Sequence, residues 1–358
     1  MNLAGAMNGA PTDGDSVRAR FIAPPDSIAP PDGIAPISPQ LSRRTGDSTG
    51  SSPAIELRGL RKEYGRKVAL HDLTLTVQPG EVFGFLGPNG AGKTTTIKIL
   101  TGLVGATAGA ARIFGLPVTD RRARARVGYL PEHFRFHDWL TGAGLLDFHG
   151  RLADLPAAER HRRIPEVLRQ VGLAGRGDEK VRGYSKGMQQ RLGLAQAILH
   201  RPDLVLLDEP SSALDPVGRR EVRDLIRQLR NEGVTVFLNS HLLGEVEMIC
   251  DRVAIVDRGR VVREGPLGEV VGGAPEVRVT VDRADRELLA ALGQHGTVQD
   301  VEEMDAGQVA VVLAISDLEQ VPAIARTVVG QGVALYGLVP TRRSLEEVFV
   351  SLVEGSEG

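Results

Sequence analysis

The chain has 358 residues, and its 43 Lys+Arg against 45 Asp+Glu leave a formal charge of −2, with 42% hydrophobic and 25% charged residues. That balance excludes a protein held on nucleic acid chiefly by bulk charge, and one cysteine, Cys250, excludes an intrachain disulfide framework and reads as a small buried hydrophobe. No run approaches the roughly 18 apolar residues that span a bilayer, and no basic-then-apolar leader is read at the N-terminus, so any membrane role falls to a partner.

Along the chain, residues 1 to about 53 stand apart. They are rich in Pro, Gly, Ser and Asp and repeat Ile22-Ala23-Pro24-Pro25-Asp26, Ile28-Ala29-Pro30-Pro31-Asp32 and Ile34-Ala35-Pro36. Prolines at that density cannot donate ladder hydrogen bonds, and little apolar surface offsets the ordering entropy. A disordered tail of polyproline-II character is therefore expected over 1–53.

From Ala54 the pattern becomes regular. Ile55-Glu56-Leu57-Arg58 alternates as an edge strand does, and 73–77 reads as another. Residues 81–86 are nearly all apolar, as a sheet covered on both faces requires, and break into a Gly-rich loop before a helix beginning Lys93-Thr94-Thr95. Residues 203–207 and 234–238 are two further strands of this kind. Between them Val222, Leu225, Ile226 and Leu229 share one face of a helix opened by Asp215-Pro216 and closed by Gly233. This alternation predicts an α/β fold, a doubly wound and mainly parallel sheet, over 54–270. Residues from about 133 read as helical, so an inserted helical subdomain is expected over about 133–190.

After Gly272-Gly273-Ala274-Pro275 the rhythm changes. Strands are expected at 276–281, 297–301, 308–315 and 333–339, and helices at 285–292, 317–330 and 344–353. That order, βαββαβα, fits a small α+β domain of ferredoxin-like type over 271–358. It carries no catalytic constellation.

The chemistry is concentrated earlier. Gly87-Pro88-Asn89-Gly90-Ala91-Gly92-Lys93-Thr94 matches G-x-x-x-x-G-K-[ST] between a strand and a helix. Its glycines let backbone N–H groups curl around phosphate oxygens, and the helix N-terminus adds donors and a positive end. Lys93 reaches the β- and γ-phosphates, Thr94 offers a hydroxyl to Mg²⁺, and Thr95 follows in the same turn. Further on, Leu204-Val205-Leu206-Leu207 delivers Asp208 and Glu209 at the carboxyl end of a strand, where doubly wound sheets place their ligands. Period-two alternation separates the two carboxylates. Asp208 is placed to hold Mg²⁺ through water, and Glu209 to take a proton from attacking water.

With these motifs in place, the region from Ile55 to about Gly265 resembles the ATP-binding cassette (ABC) family of P-loop ATPases. Tyr64 looks like the aromatic that stacks on adenine. Tyr184-Ser185-Lys186-Gly187-Met188-Gln189-Gln190-Arg191 resembles the family signature, Ser211-Ser212-Ala213-Leu214-Asp215 the D-loop, and Asn239-Ser240-His241 the switch histidine that contacts the γ-phosphate. The resemblance implies that the signature residues Ser185, Lys186, Gly187 and Met188 bind ATP held by a second subunit. Two cassettes would then sandwich two ATPs, and this chain, with one phosphate loop and one signature, would pair with another cassette or with itself.

Two departures stand out. The signature carries Lys186-Gly187-Met188 where Gly-Gly-Gln is commoner, and Tyr129-Leu130-Pro131-Glu132 places Glu132 where the Q-loop usually has Gln. An ionised Glu accepts hydrogen bonds but donates none, which leaves it a helper role around Mg²⁺ or in coupling. Both forms, and the ending Ser344-Leu345-Glu346-Glu347-Val348-Phe349, are similar to the branch of bacterial ABC exporters whose ATPase and membrane subunits are separate chains. The resemblance thus implies an ATPase with ATP and Mg²⁺ as cofactors, peripheral on the cytoplasmic face of the inner (plasma) membrane, driving a transmembrane permease. The alternative is a soluble ABC ATPase of translation or DNA repair. Translation types usually carry two cassettes, and repair types carry long coiled coils or zinc-binding cysteines, none of which this sequence has.

The runs Arg121-Arg122-Ala123-Arg124-Ala125-Arg126 and His161-Arg162-Arg163 lack interleaved aromatics and read as solvated helical faces, so no nucleic-acid partner is expected. Trp139 is expected to pack in a core, with a groove for a membrane partner as the alternative.

Overall fold

The computed structural model describes residues 52–272, 275–304, 307–341 and 344–354. Apart from 52 and 53, the expected tail lies outside these residues. In chain order the first region runs β1 (Ile55–Tyr64), β2 (Lys67–Val77), β3 (Val82–Leu86), α1 (Lys93–Leu100), β4 (Ala108–Ile113), β5 (Leu116–Pro117), α2 (Arg121–Arg124) and β6 (Val127–Leu130). It continues through α3 (Gly142–Leu152), α4 (Ala157–Gln170), α5 (Lys186–Ile198), β7 (Leu204–Asp208), α6 (Pro216–Asn231), β8 (Thr235–Asn239), α7 (Leu243–Ile249), β9 (Arg252–Asp257), β10 (Arg260–Pro266) and α8 (Leu267–Val270).

The central sheet has the order β10-β9-β3-β8-β7-β6, parallel throughout except for the antiparallel edge strand β10. Its inner strands β3, β7 and β8 are buried at every position, as their apolar composition demands. Alternate side chains feed two cores. Val82, Leu86, Val205, Leu207, Val236 and Leu238 pack against the helices α3 to α6, and Phe83, Phe85, Leu204, Leu206 and Phe237 pack with α1 and the outer sheet. Gly128 keeps β6 close to α5, because a Cβ there would lie 2.0 Å from the Ala197 carbonyl oxygen.

The outer sheet has the order β2-β1-β4-β5 and is antiparallel. This corrects the edge-strand expectation for Ile55 to Arg58: β1 is an interior strand, and the edges are β2 and β5. The missing neighbour is β4, whose Ala- and Gly-rich run carries little strand signal. A Cβ on its Gly109 would sit 2.2 Å from the Gly59 carbonyl oxygen, so close approach of the two strands excludes larger residues there.

The expected helix over 216–231 is α6, capped by the Asp215 carboxylate, which accepts from Gly218 N–H at 2.8 Å, and ended by Gly233 at φ 82°. The helical subdomain comprises α3, α4 and the start of α5. Here Arg163 departs from the solvated face predicted for it, at 6% exposure. Its guanidinium donates to the carbonyls of Ile198 (3.1 Å) and Leu199 (3.3 Å) at the end of α5 and pairs with Glu166 at 2.7 Å. The other arginine run is only partly free. Arg124 donates to the carbonyls of Val118 and Thr119, and Arg126 pairs with Asp203 at 2.6 Å. Cys250 is buried, which holds its thiol well above its ordinary pKa.

The C-terminal region follows the expected element order: β11 (Glu276–Val281), α9 (Arg286–Leu292), β12 (Gly296–Glu303), β13 (Val309–Ile315), α10 (Val321–Gly330), β14 (Leu335–Thr341) and α11 (Leu345–Glu354). Its sheet has the order β12-β13-β11-β14, antiparallel throughout. Val277, Val279 and Val281 point from β11 into a separate core shared with α9 and α10. Helix α11 leaves that core and packs on α7, with Leu345 and Val348 buried in the core of the first region. Among the described residues no helix is long and apolar enough to cross a membrane.

Candidate active site

Between β3 and α1 the chain makes a loop that only glycines at set positions permit. Gly92 precedes α1 at φ 102°, and a Cβ on it would fall 2.5 Å from Leu70 Cδ2 and 2.8 Å from the Ala69 carbonyl oxygen. A Cβ on Gly87 would fall 2.2 Å from the Val256 carbonyl oxygen. No side chain among the described residues caps α1, so its first N–H groups are left to a ligand. Lys93 folds back over the loop, its Nζ donating to the carbonyls of Gly87 (2.5 Å) and Pro88 (3.0 Å). Burial holds its ammonium below the ordinary lysine pKa, opposed by the negative charges of Glu209, Asp208 and Glu132.

Opposite Lys93, β7 ends at Asp208, which is 1% exposed. Its Oδ1 accepts from Asn239 Nδ2 at 2.5 Å, and burial raises its carboxyl pKa, with Glu132 and Glu209 adding to the rise. Glu209 is separated from Asp208 by a left-handed backbone, φ 54°, rather than by the strand alternation predicted for the pair. That turn aims its carboxylate at the switch segment. Oε1 accepts from His241 N–H at 2.9 Å, and Oε2 lies 2.8 Å from His241 Nδ1. Oε2 of Glu209 and Oδ1 of Asn239 are buried without a hydrogen-bond partner among the described residues. Tyr129, pushed up to about 12 by burial and by the charges of Asp208 and Glu132, stays neutral beside them.

Of these groups, the loop, Lys93, Glu209, Asn239 and His241 line one cleft of about 850 Å³. Gly87, Pro88, Asn89, Gly90, Lys93, Thr94 and Thr95 form its floor, with Glu132, Glu209 and His241 on the far wall. Tyr64, 45% exposed, stands at the mouth, with Lys62 Nζ 4.9 Å from its ring centroid. The structure therefore brings together most of the residues singled out from the sequence. Ala91 is buried beneath the loop, and Asp208 lies behind the wall rather than on it. Ser185, Lys186, Gly187, Met188 and Asp215 are not part of this cleft; Ser185 and Asp215 cap α5 and α6.

A family model described as ABC transporter matches residues 70–212. An ABC transporter ATP-binding protein of Synechocystis is 48% identical over 223 residues, which is 62% of this chain and 63% of that protein. Another, YdbJ of Bacillus subtilis, is 36% identical over 307 residues, 84% of this chain and 95% of that one. Nod factor export ATP-binding protein I of Ralstonia nicotianae is 37% identical over 256 residues, 70% of this chain and 80% of that one. The chain belongs to the ABC transporter family of ATP-binding proteins. Among solved structures, the dimeric post-hydrolysis cassette MJ0796 bound to ADP and Pi aligns at a TM-score of 0.55 and 25% identity, covering 60% of this chain and 98% of that one.

As a member of this family, the chain brings the glycine-rich loop, Lys93 and the Glu209 carboxylate into one cleft. Four contributors escaped sequence reasoning. Asn239 is the hydrogen-bond donor to Asp208, and Gln190 on α5 donates to the carbonyls of Glu209 (3.2 Å) and Pro210 (3.0 Å), tying α5 to the turn that follows β7. Both were quoted within motifs, but only the fold gives their side chains partners. Lys67, which no motif marks, and Phe349, quoted only within the C-terminal ending, also line the cleft.

Proposed function

We propose that two copies of this chain pair across two ATP molecules, hydrolyse them, and so drive a separate membrane permease that exports its cargo. The observation that carries this reading is the Glu209 carboxylate, turned by its left-handed backbone toward His241 in the cleft that Lys93 floors. Glu209 takes the proton of the attacking water, and His241 orients that carboxylate and meets the γ-phosphate. Lys93 and the α1 N-terminus hold the phosphates, and Tyr64 stacks on the base. Ser185, Lys186, Gly187 and Met188 lie outside their own cleft, which suits a role on the partner's nucleotide.

The residues fit a divalent cation. Asp208 is buried with Asn239 as donor, and Asn239 Oδ1 is a buried acceptor without a hydrogen-bond partner among the described residues. Thr94, Asp208 and Glu132 would hold Mg²⁺, which neutralises charge developing on the phosphates. In the C-terminal region the strand order β12-β13-β11-β14 is that of a ferredoxin-like domain, assigned here to dimer stabilisation or regulation.

Export through a permease at the cytoplasmic face of the inner membrane is supported by the resemblance to the Nod factor export protein and by an exposed aromatic patch. Trp139 is 65% exposed, against the core packing expected for it, and lies tilted against His137 at a centroid distance of 4.7 Å, with Phe148 edge-on to the same His137 ring. That patch is the docking surface assigned to the permease. Steady-state ATP turnover of the purified chain tests the site: Glu209→Gln and His241→Ala should each lower kcat at least a hundredfold. Turnover by Glu209→Gln within tenfold of the unaltered chain contradicts the assignment.

A further inference from the structure

Among the described residues that line the nucleotide cleft, all but Phe349 belong to the first region. Phe349 sits on α11, beyond the C-terminal sheet, and lines the cleft together with Ser240, His241 and Leu243. Three features fix α11 in that place. Leu345 is 0% exposed and Val348 is buried, both in the core that holds Val246 of α7. The Leu345 N–H donates to Glu247 Oε2 of α7 at 3.3 Å, so a carboxylate from the switch helix meets the N-terminus of α11. Ser344 and Glu347 exchange reciprocal bonds of 3.0 and 3.2 Å, a capping box that starts the helix at this position.

The switch segment needs such support. Helix α7 has 7 residues and no side-chain cap, and it follows directly on the turn that carries His241. His241 itself is largely exposed. Two contacts to Glu209 hold it from the β7 side, and the Ser240–Leu243 turn is held from the other side by what packs on α7.

We propose that Phe349 is a positioning residue for ATP hydrolysis. Lining the cleft from α11, and packed on the same core as Leu243, it holds the switch turn so that His241 stays opposite Glu209, which makes the C-terminal helix a working part of the ATPase site. This inference rests on the roles proposed for His241 and Glu209. Phe349 acts through His241 and touches no reacting atom. Loosening it therefore lowers kcat and leaves ATP binding by the phosphate loop intact, since displacement of a catalytic group by about 1 Å costs up to a hundredfold.

The test is steady-state turnover of the full chain with MgATP. Phe349→Ala should lower kcat by about ten- to a hundredfold with KM for ATP within about twofold, and Phe349→Leu, which keeps apolar bulk, should recover to within about threefold. Glu247→Gln keeps Phe349 and weakens only the tie between α7 and α11, so it should lower kcat about two- to fivefold with the same KM. It also keeps the test alive if Phe349→Ala fails to fold. Val350→Ala, at a neighbouring exposed position of α11, should leave both constants unchanged. The inference is overturned if Phe349→Ala or Glu247→Gln retains full kcat, if the change falls on KM alone, or if Val350→Ala loses as much. His241→Ala separates the two levels. Should it turn over normally, the site assignment fails; should it abolish turnover while Phe349→Ala does not, only the inference about α11 fails.

Discussion

Replacing Lys93 by alanine should weaken ATP binding by less than the bare charge contact suggests, and the structure gives the reason. An ammonium about 4 Å from a phosphate charge contributes on the order of 4 kcal/mol at an effective dielectric of ~20. Nζ, however, already donates to the carbonyls of Gly87 and Pro88. The ammonium has three donors, so one of the two bonds can stay; giving up the other sets back roughly 1.5–3 kcal/mol, the range for one hydrogen bond to a charged group. The net loss is about 1–2.5 kcal/mol, which is about 5- to 70-fold in Kd. Loss of the cation facing Glu209, Asp208 and Glu132 pushes the value toward the upper end. Titration calorimetry of MgATP into Lys93→Ala, in a Glu209→Gln background to prevent turnover, measures it. An affinity within twofold of the Lys93-containing protein would refute the assignment of Lys93 to the phosphates.

Three further outcomes follow from other parts of the molecule. Arg163→Met removes the buried donors to the Ile198 and Leu199 carbonyls and should destabilise the chain by about 2–3 kcal/mol, lowering Tm by roughly 4–12 °C in scanning calorimetry; a change under about 0.5 kcal/mol contradicts the buried capping role. His149 and His200 are both held below the ordinary histidine pKa by burial, with the charge of His137 adding to the effect at His149. Below pH ~6.5 the unfolded chain therefore binds protons that the folded one refuses, and stability falls with pH by up to ~1.4 kcal/mol per unit for each group. Urea unfolding at pH 7.5 and 5.5 should show a smaller loss for His200→Gln than for the unaltered chain; equal losses contradict it. Trp139→Ala should reduce co-purification with a permease encoded by a neighbouring gene, measured from detergent-solubilised membranes, and undiminished capture removes the docking surface.

Much of the fold was legible because strands buried on both faces cannot be written in polar residues. Residues 81–86, 203–207 and 234–238 announce β3, β7 and β8, and the alternation of valines in 276–281 announces β11. β4 was not legible because its Ala, Gly and Arg residues carry little strand propensity, and β6 because it has only 4 residues; Gly109 and Gly128 in them are small because a neighbouring carbonyl leaves no room for a Cβ. Arg163 looks solvated in a basic run because only the end of α5, distant in sequence, supplies the carbonyls that make its burial tolerable. In the site, the backbone-dictated parts were visible, namely the glycine loop and the two carboxylates after an apolar strand. What tertiary contact alone creates was not. The Asn239 bond to Asp208, the Gln190 bonds across to β7, and the arrival of Phe349 from a helix 108 positions beyond His241 in the numbering all depend on packing.

Sedimentation of the Glu209→Gln chain, with and without MgATP, asks whether two copies complete each other's sites. The expected result is a monomer without nucleotide and a dimer holding two ATPs with it, reversed when the nucleotide is removed. A chain that binds MgATP yet stays monomeric at every concentration would contradict pairing through the Ser185–Met188 segment.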